Sequence, residues 1–162
     1  MRAVMQANEL WKLYASGEST VQAVKGVNVT IGEGEMIAIM GPSGCGKTTL
    51  LNVLSGIDEP TAGEVTIDEK SLFAVSDNER SRMRAEYLGF IFQDFNLLPV
   101  LSAVENVELP LLLLGKPANE ARNTALDALK AVGLGERSGH RPSELSGGQQ
   151  QRVAIALSLI HI

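Results

Sequence analysis

Hydrophobic residues alternate or cluster in a pattern that predicts a β-rich first half of the chain. Residues 4–14 can form a strand, and from Val21 to Ile31 the apolar side chains occupy alternate positions, as in a half-buried strand. Continuous apolar runs at 36–40 and 88–92 predict two fully buried strands. Residues 64–68 predict a further short strand.

Helical periodicity dominates from Asn96 onward, where the chain becomes rich in leucine and alanine. Start and stop signals predict a helix of about ten residues that ends near Gly56. They predict further helices over 77–87, 102–114, 118–132 and from 148 onward. Ser76 and Asp77 offer an N-cap for the charged second helix, whose Arg80, Arg82 and Arg84 are expected to form a solvated face.

A phosphate-binding loop is predicted between the apolar run 36–40 and a helix that begins near Thr49. It reads Gly41-Pro42-Ser43-Gly44-Cys45-Gly46-Lys47-Thr48 and fits the pattern G-x-x-x-x-G-K-[ST]. Its glycines allow a tight turn, so that backbone amides at a helix N-terminus can converge on a phosphate. Lys47 can reach the β- and γ-phosphates, and the Thr48 hydroxyl can ligate Mg²⁺. A glycine-rich turn with a surface lysine would explain neither the Lys-Thr pair nor the flanking strand.

Composition narrows the functional classes. The chain has 162 residues, of which 44% are hydrophobic, so a packed core is expected. The net charge of −5 gives no electrostatic reason to expect a nucleic-acid partner. The single cysteine, Cys45, excludes an internal disulfide, and one Cys with two His cannot build a zinc cluster. The longest apolar stretch, 109–114, is too short to span a bilayer, so a soluble chain is expected.

A second motif lies about 100 residues after the phosphate loop. It reads Leu145-Ser146-Gly147-Gly148-Gln149 and is followed by Gln150-Gln151-Arg152. With Gln93 between the two motifs, the chain resembles the ATP-binding subunit of an ABC transporter over residues 1–156. The resemblance implies an α/β P-loop NTPase fold with an N-terminal antiparallel β subdomain and an α-helical subdomain. It also implies that the signature closes on ATP held by a partner subunit. The simpler interpretation, a Gly-Gly helix cap, is expected to hold as well, because the signature would use that cap.

Further site residues follow from this resemblance. Tyr14 resembles the aromatic residue that stacks on adenine, although Trp11 competes for that role. Gln93 resembles the glutamine that senses Mg²⁺ and the attacking water, at a hinge to the helical part. The implied ATP-binding set is Tyr14, residues 41–48, Thr49 and Gln93; the implied Mg²⁺ ligands are Thr48 and Gln93.

The subfamily is indicated by the segments 92–99, 105–111 and 140–144, which resemble the lipoprotein-release and macrolide-export group. This implies a subunit peripheral to the cytoplasmic face of the inner or plasma membrane. Residues 94–114 would receive the coupling helix of a membrane permease, and a second ATPase subunit would bind head to tail, as a homodimer. Core packing is the alternative role for the leucines of this stretch, namely Leu97, Leu98, Leu101 and Leu109.

The catalytic end of the family pattern is not found in these 162 residues. The family continues past the signature into a strand ending in Asp-Glu, whose glutamate is the general base, and then to a switch histidine. His161 lies only nine residues beyond Arg152 and does not fit the switch position. We therefore expect a partial domain with the C-terminal part of the core sheet missing. The parent protein would be an ATP hydrolase and this fragment inactive.

The domain expectation is a single partial ABC ATPase domain. It comprises a β and P-loop part over 1–93, a helical subdomain over 94–147, a post-signature helix over 148–156, and a tail over 157–162. The tail departs from the family's usual Arg-Ala-Leu continuation, and it can be back-translated into a transposon-end sequence used in DNA library preparation. We expect it to be non-native; an ordinary divergent helix end is the alternative.

Two other functions fit the same motifs. Some close relatives use ATP binding to signal through a permease-like partner that controls cell-wall enzymes. ABC ATPases of DNA repair or translation usually carry a coiled-coil insertion or a duplicated cassette, and neither is visible in this sequence. The transported substrate is chosen by the permease and is not readable here.

Overall fold

The computed structural model describes residues 2–17 and 19–160. The chain divides into two compact units between Arg84 and Ala85. This division lies several residues before the change of character at 93–96, and the subdomain bounds expected from composition stay a prediction.

The first unit is built on a four-stranded antiparallel sheet in the order β2-β1-β3-β4. Its strands are β1 (Ala3–Ser16), β2 (Ser19–Gly32), β3 (Ala62–Ile67) and β4 (Lys70–Ser71). β1 and β2 pair from Ala3 opposite Gly32 to Ser16 opposite Ser19. The strands predicted at 4–14, 21–31 and 64–68 are thus confirmed, with the first two longer than expected.

Two helices belong to this part of the chain, α1 (Lys47–Leu54) and α2 (Asp77–Tyr87). α1 ends as predicted, because Gly56 adopts a left-handed φ of 70° just after its C-cap. The core between sheet and helices contains fully buried side chains from β1, β3, α1 and the segment after β4, which are Leu10, Val65, Val53 and Leu72.

The arginines of α2 are not simply a solvated face. Arg84 donates from Nη1 to the carbonyl of Gly56 at 2.9 Å. Arg80 pairs with Asp77 at 2.8 Å and lies 5.0 Å from the ring centroid of Phe73. Of the three arginines, Arg82 is exposed, and Arg80 and Arg84 are half-buried. The expectation of a solvated arginine face is therefore wrong for Arg80 and Arg84, because each also contacts a group outside the helix, Phe73 and the Gly56 carbonyl respectively, which no helical pattern encodes.

The buried strands predicted at 36–40 and 88–92 are not formed. Neither segment is part of a strand, and Met36 and Met40 are 96% and 87% exposed. A strand requires a hydrogen-bonded neighbour, and the four strands of the described sheet pair only with one another. An apolar run therefore predicts the tendency to be buried in a sheet but not the presence of the strand that would cover it.

The second unit is a helical bundle of α3 (Ala103–Leu113), α4 (Ala118–Ala131) and α5 (Gly147–Leu159). These bounds confirm the predicted helices within one residue. Their shared core is apolar throughout and contains Ala103, Val104, Val107, Ala125, Leu129, Leu134, Leu145, Val153 and Ala156. α5 runs without a break through Leu159, which places the first half of the expected tail, 157–159, in this helix; the last residues of the tail, 161 and 162, lie outside the described residues.

Two buried polar side chains brace the bundle. Asn106 donates from Nδ2 to the carbonyls of Leu98, Leu101 and Ser102 and accepts from the Leu98 amide. Glu108 binds Arg122 of α4 through both carboxylate oxygens, at 2.6 and 2.8 Å. Asn106 therefore fixes the segment before α3, and Glu108 fixes α3 against α4. Because both side chains are hydrogen-bonded, burying them has only a small desolvation penalty.

Across the part of the chain that the structure describes, no helix is both long and apolar enough to cross a membrane.

Candidate nucleotide site and signature turn

The predicted phosphate loop leads directly into α1, as its sequence requires. Gly46 is the N-cap and adopts φ 95°, and the helix begins at Lys47. At the start of this helix the Leu50 amide donates to the Gly46 carbonyl at 2.8 Å. The amides of the first turn precede this bond and have no acceptor within the helix. They form the positive end of α1, where an anion is stabilised.

Gly46 can only be glycine in this setting. A Cβ at this position would lie 2.2 Å from the carbonyl oxygen of Ala23 in β2. Gly44 has φ 79°, but a Cβ there would meet nothing within 4 Å. The lack of a side chain at Gly46 therefore lets the loop pack directly on the backbone of β2, whereas Gly44 is required only for its backbone conformation.

Lys47 is folded over the loop that it follows. Its ammonium donates to the carbonyls of Gly41 at 2.9 Å and Pro42 at 2.7 Å, and it lies 3.8 Å from Sγ of Cys45. The positive charge is thus held at the mouth of the loop by flexible contacts to neutral acceptors. An incoming phosphate, which is charged, would be a stronger acceptor for the same donors. Thr48, next in the chain, is exposed.

Tyr14 belongs to a polar cluster with Lys12 and Asp58. Its hydroxyl donates to Oδ2 of Asp58 at 2.6 Å, and the Lys12 ammonium donates to Oδ1 at 2.7 Å. The same ammonium lies 4.9 Å from the centroid of the Tyr14 ring. Tyr14 is 39% exposed, so part of its ring remains accessible. Sequence reasoning missed Asp58, because 44 residues separate it from Tyr14.

The cluster shifts two pKa values in opposite directions. The hydrogen bond to Asp58 raises the pKa of Tyr14, aided by desolvation of its hydroxyl. Burial pushes the pKa of Asp58 upward, but hydrogen bonds from Lys12 and Tyr14 outweigh it and hold that pKa below its usual value. At neutral pH Tyr14 is therefore a neutral phenol and Asp58 a carboxylate.

Trp11, the alternative aromatic residue, has a different environment. A Cβ at Gly26 of β2 would lie 3.2 Å from Cζ2 of its indole, so the ring covers that glycine. Trp11 also accepts a hydrogen bond from the Thr61 amide through its carbonyl. These contacts give Trp11 a packing role in the sheet. The assignment of Tyr14 rather than Trp11 to the adenine stays a prediction.

Gln93 lies in an exposed turn of the second unit. The Phe95 amide donates to the Phe92 carbonyl at 3.1 Å across this turn, and Phe95 and Asn96 both have positive φ values, 60° and 50°. Such conformations are uncommon for residues other than glycine. Gln93 therefore lies beside a conformationally strained segment. The hinge expected at this position stays a prediction.

The signature forms the first turn of α5. Ser146 is its N-cap and makes a capping box with Gln149, in which the Gln149 side chain accepts from the Ser146 amide at 2.8 Å. Leu145 is buried in the helical core, while Ser146, Gly147 and Gly148 are exposed. A Cβ at either glycine would meet nothing within 4 Å. The helix-cap interpretation is thus correct, but internal crowding does not explain the two glycines.

Two helix N-termini and one ammonium are the groups of the described residues that could receive an anion. The N-termini of α1 and α5 both contain glycine, so their backbone amides are not covered by side chains of their own residues. The Lys47 ammonium lies at the first of them. Among residues 2–17 and 19–160, no group of three or more Asp, Glu, His or Cys side chains could hold a metal.

Comparison with known proteins supports this interpretation. The family model for ABC transporters matches residues 24–161. An uncharacterised ABC transporter ATP-binding protein of Thermotoga maritima is 48% identical over 159 residues, covering 98% of this chain and 68% of the relative. The lipoprotein-releasing system ATP-binding protein LolD of Xanthomonas campestris is 46% identical over 159 residues, covering 98% of this chain and 66% of the relative.

A solved structure shares the fold. It is a dimeric, post-hydrolysis state of the ATP-binding cassette MJ0796 bound to ADP and Pi, and a protein of that name belongs to Methanocaldococcus jannaschii. The match has a TM-score of 0.90 and 45% identity, and covers 97% of this chain and 69% of the other. The chain spans about two thirds of the length of the relatives that it matches. With an antiparallel sheet, a phosphate loop and a helical subdomain in place, the chain belongs to the ABC transporter family, as an ATP-binding subunit with the α/β P-loop fold.

Proposed function

We propose that this chain is the ATP-binding part of an ABC transporter that couples ATP binding and hydrolysis to a membrane permease, in export or lipoprotein release. The observation that carries the proposal is the pair of glycine-led helix N-termini, one at residues 41–48 and one at residues 145–149. The first is locked to the sheet and carries Lys47. The second is exposed, with open space at both glycines.

The first helix N-terminus would hold the nucleotide of its own subunit. Backbone amides of residues 41–48 would bind the β-phosphate, Lys47 the β- and γ-phosphates, and Tyr14 the adenine, with Thr49 beside it. Thr48 and Gln93 would hold Mg²⁺, whose chemistry is to neutralise charge on the phosphate oxygens. This set is supported by the loop geometry and by the exposure of Thr48, Gln93 and part of Tyr14.

The signature would act on the nucleotide of a second copy. Ser146 and the amides of Gly147 and Gly148 would bind the partner's γ-phosphate, so two chains would enclose two nucleotides head to tail. Two findings support this. Both glycines are exposed although a side chain at either position would fit within the chain itself. The related cassette MJ0796 is dimeric in a state bound to ADP and Pi.

Residues 94–114 would contact the permease. Several large apolar side chains here are exposed, with Val100 at 72% and Leu113 at 79%. Leu97 instead packs against the helical core, so the packing alternative holds for that residue. LolD, a relative, belongs to a lipoprotein-releasing system. By analogy the chain would lie on the cytoplasmic face of the membrane through its permease.

Residues 1–162 alone would bind nucleotide without turning it over. The resemblance assigns the general base to a strand that follows the signature, and no described residue after α5 begins supplies such a carboxylate. Phosphate release from Mg-ATP should therefore be absent in these 162 residues. Hydrolysis by this chain that Lys47→Ala abolishes would overturn this part of the proposal.

Dimer formation tests the two-site scheme. Light scattering after gel filtration should show ATP-dependent association of the chain. Gly148→Asp, which places a carboxylate where the γ-phosphate would bind, should prevent that association. Gly139→Asp is the matched control, because its Cβ also meets nothing within 4 Å and it lies outside the signature. Equal association of both variants would contradict the role of the signature.

A further inference from the structure

The polar cluster around Tyr14 connects the aromatic residue to the helix that carries the phosphate loop. Asp58 is held at the end of α1, because its amide and that of Ile57 both donate to the Asn52 carbonyl, at 3.1 and 2.9 Å. The Asp58 carboxylate accepts from the Tyr14 hydroxyl at 2.6 Å. The ring is therefore fixed, through Asp58, to the C-terminal end of α1.

Lys12 completes the cluster from the strand side. Its ammonium donates to Oδ1 of Asp58 and to the Glu59 carbonyl, both at 2.7 Å, and its side chain is only 13% exposed. The Lys12 ammonium also lies over the Tyr14 ring and contacts one of its faces. Asp58 is the common acceptor for both β1 side chains, so its carboxylate is the group on which the position of the ring depends.

Resting on the proposed function, we propose that Asp58 is a positioning residue of the nucleotide site: it holds the Tyr14 ring at a set place relative to α1, so that the ring receives an aromatic base while the N-terminus of the same helix receives the phosphates. Base and phosphate contacts would then be made to one rigid element. Without Asp58 the ring must be ordered at the moment of binding, which lowers affinity for the base part of the ligand only.

Two ligands separate this role from general damage. Equilibrium binding of ATP and of inorganic tripolyphosphate is measured by calorimetry for the wild-type chain, Asp58→Asn and Tyr14→Phe. Both variants should weaken ATP binding about 2- to 10-fold, the cost of ordering one side chain. Tripolyphosphate, which has no base, should bind all three equally. Glu59→Gln is the charge-matched control and should leave both affinities unchanged, because its carboxylate takes no part in the cluster.

A spectroscopic measurement tests the contact itself and needs no ligand. The chain has two tyrosines, so absorbance titration in a Tyr87→Phe background reports Tyr14 alone. Asp58→Asn should lower the pH at which Tyr14 ionises, because the bond to Asp58 is the largest cause of its raised pKa. Glu59→Gln should not. If Asp58→Asn proves too unstable for either measurement, Tyr14→Phe carries the calorimetric test, since it removes only a hydroxyl.

The outcomes are distinguishable. If the wild-type chain binds neither ATP nor tripolyphosphate, the proposed function is contradicted. ATP binding that is unchanged in Asp58→Asn and Tyr14→Phe, but lost in Lys47→Ala, leaves the function standing and overturns the positioning role. A parallel loss of ATP and tripolyphosphate affinity also overturns it, because the damage would then reach the phosphate loop.

Discussion

Gly46→Ala should destabilise the chain far more than Gly44→Ala, although both substitutions add one methyl group to the same loop. Both glycines have left-handed φ values, 95° and 79°. An alanine in that conformation costs about 1–2 kcal/mol. At Gly44 the new Cβ meets nothing within 4 Å, so this backbone cost is the whole effect.

At Gly46 a second cost is added. The Cβ would lie 2.2 Å from the Ala23 carbonyl oxygen, and that atom belongs to the backbone of β2, so the loop has to move. Overpacking of this kind costs about 1–3 kcal/mol. The sum is about 2–5 kcal/mol, against about 1–2 for Gly44, and a typical domain has only about 5–15 kcal/mol in total.

Urea unfolding followed by circular dichroism measures both variants beside the wild-type chain. ATP affinity should fall more for Gly46→Ala, because the displaced loop carries the amides of the proposed phosphate site. Equal loss of stability in the two variants would refute the reasoning, since it would mean that the loop is not held against β2.

Three further outcomes are expected. Ser146→Ala should lower the unfolding free energy by about 1 kcal/mol through loss of the α5 N-cap, measured in urea beside Ser143→Ala, and equal effects would contradict the capping role. Under mild peroxide, mass spectrometry should find Met36 and Met40 oxidised well before Met83, which is only 8% exposed; the same rate for all three would contradict the exposed segment. Because its pKa is lowered in the folded chain, Asp58 contributes stability above its usual pKa of 3.8 that is lost as the pH falls below it. The stability difference between wild type and Asp58→Asn should thus be present at pH 7 and shrink near pH 3, and a difference that persists would argue against an ionised partner.

The exposed apolar residues also bear on solution behaviour. Met36, Met40 and Ile91 are 96%, 87% and 53% exposed in segments that have strand-like sequences but no pairing partner among the described residues. Such segments favour edge-to-edge association. We expect residues 1–162 to aggregate on heating, and a cooperative, reversible thermal transition of a soluble monomer would contradict this.

Features encoded by contiguous residues were predicted well. The phosphate loop and the signature turn follow from glycine spacing, and α3, α4 and α5 follow from periodicity and caps such as Ser102 with Glu105. These elements depend on local conformation, which a short window of sequence contains.

Features that depend on distant partners were missed or wrong. The run 36–40 carries the composition of a buried strand, but burial needs a neighbouring strand that no local pattern supplies. The Asp58 contact with Tyr14 and the Arg84 contact with Gly56 join residues 44 and 28 positions apart. No local sequence pattern links Tyr14 to Asp58 or Arg84 to Gly56. The cluster around Tyr14 is therefore visible only in the folded chain.

Calorimetric titration of the chain with Mg-ATP tests the central claim most directly. We predict saturable binding of one nucleotide per chain, weakened more than tenfold in Lys47→Ala while circular dichroism shows an unchanged fold. Lys25→Ala, an exposed lysine of β2, should bind as the wild type does. No binding by the wild-type chain, or equal binding by Lys47→Ala, would contradict a nucleotide site at residues 41–48.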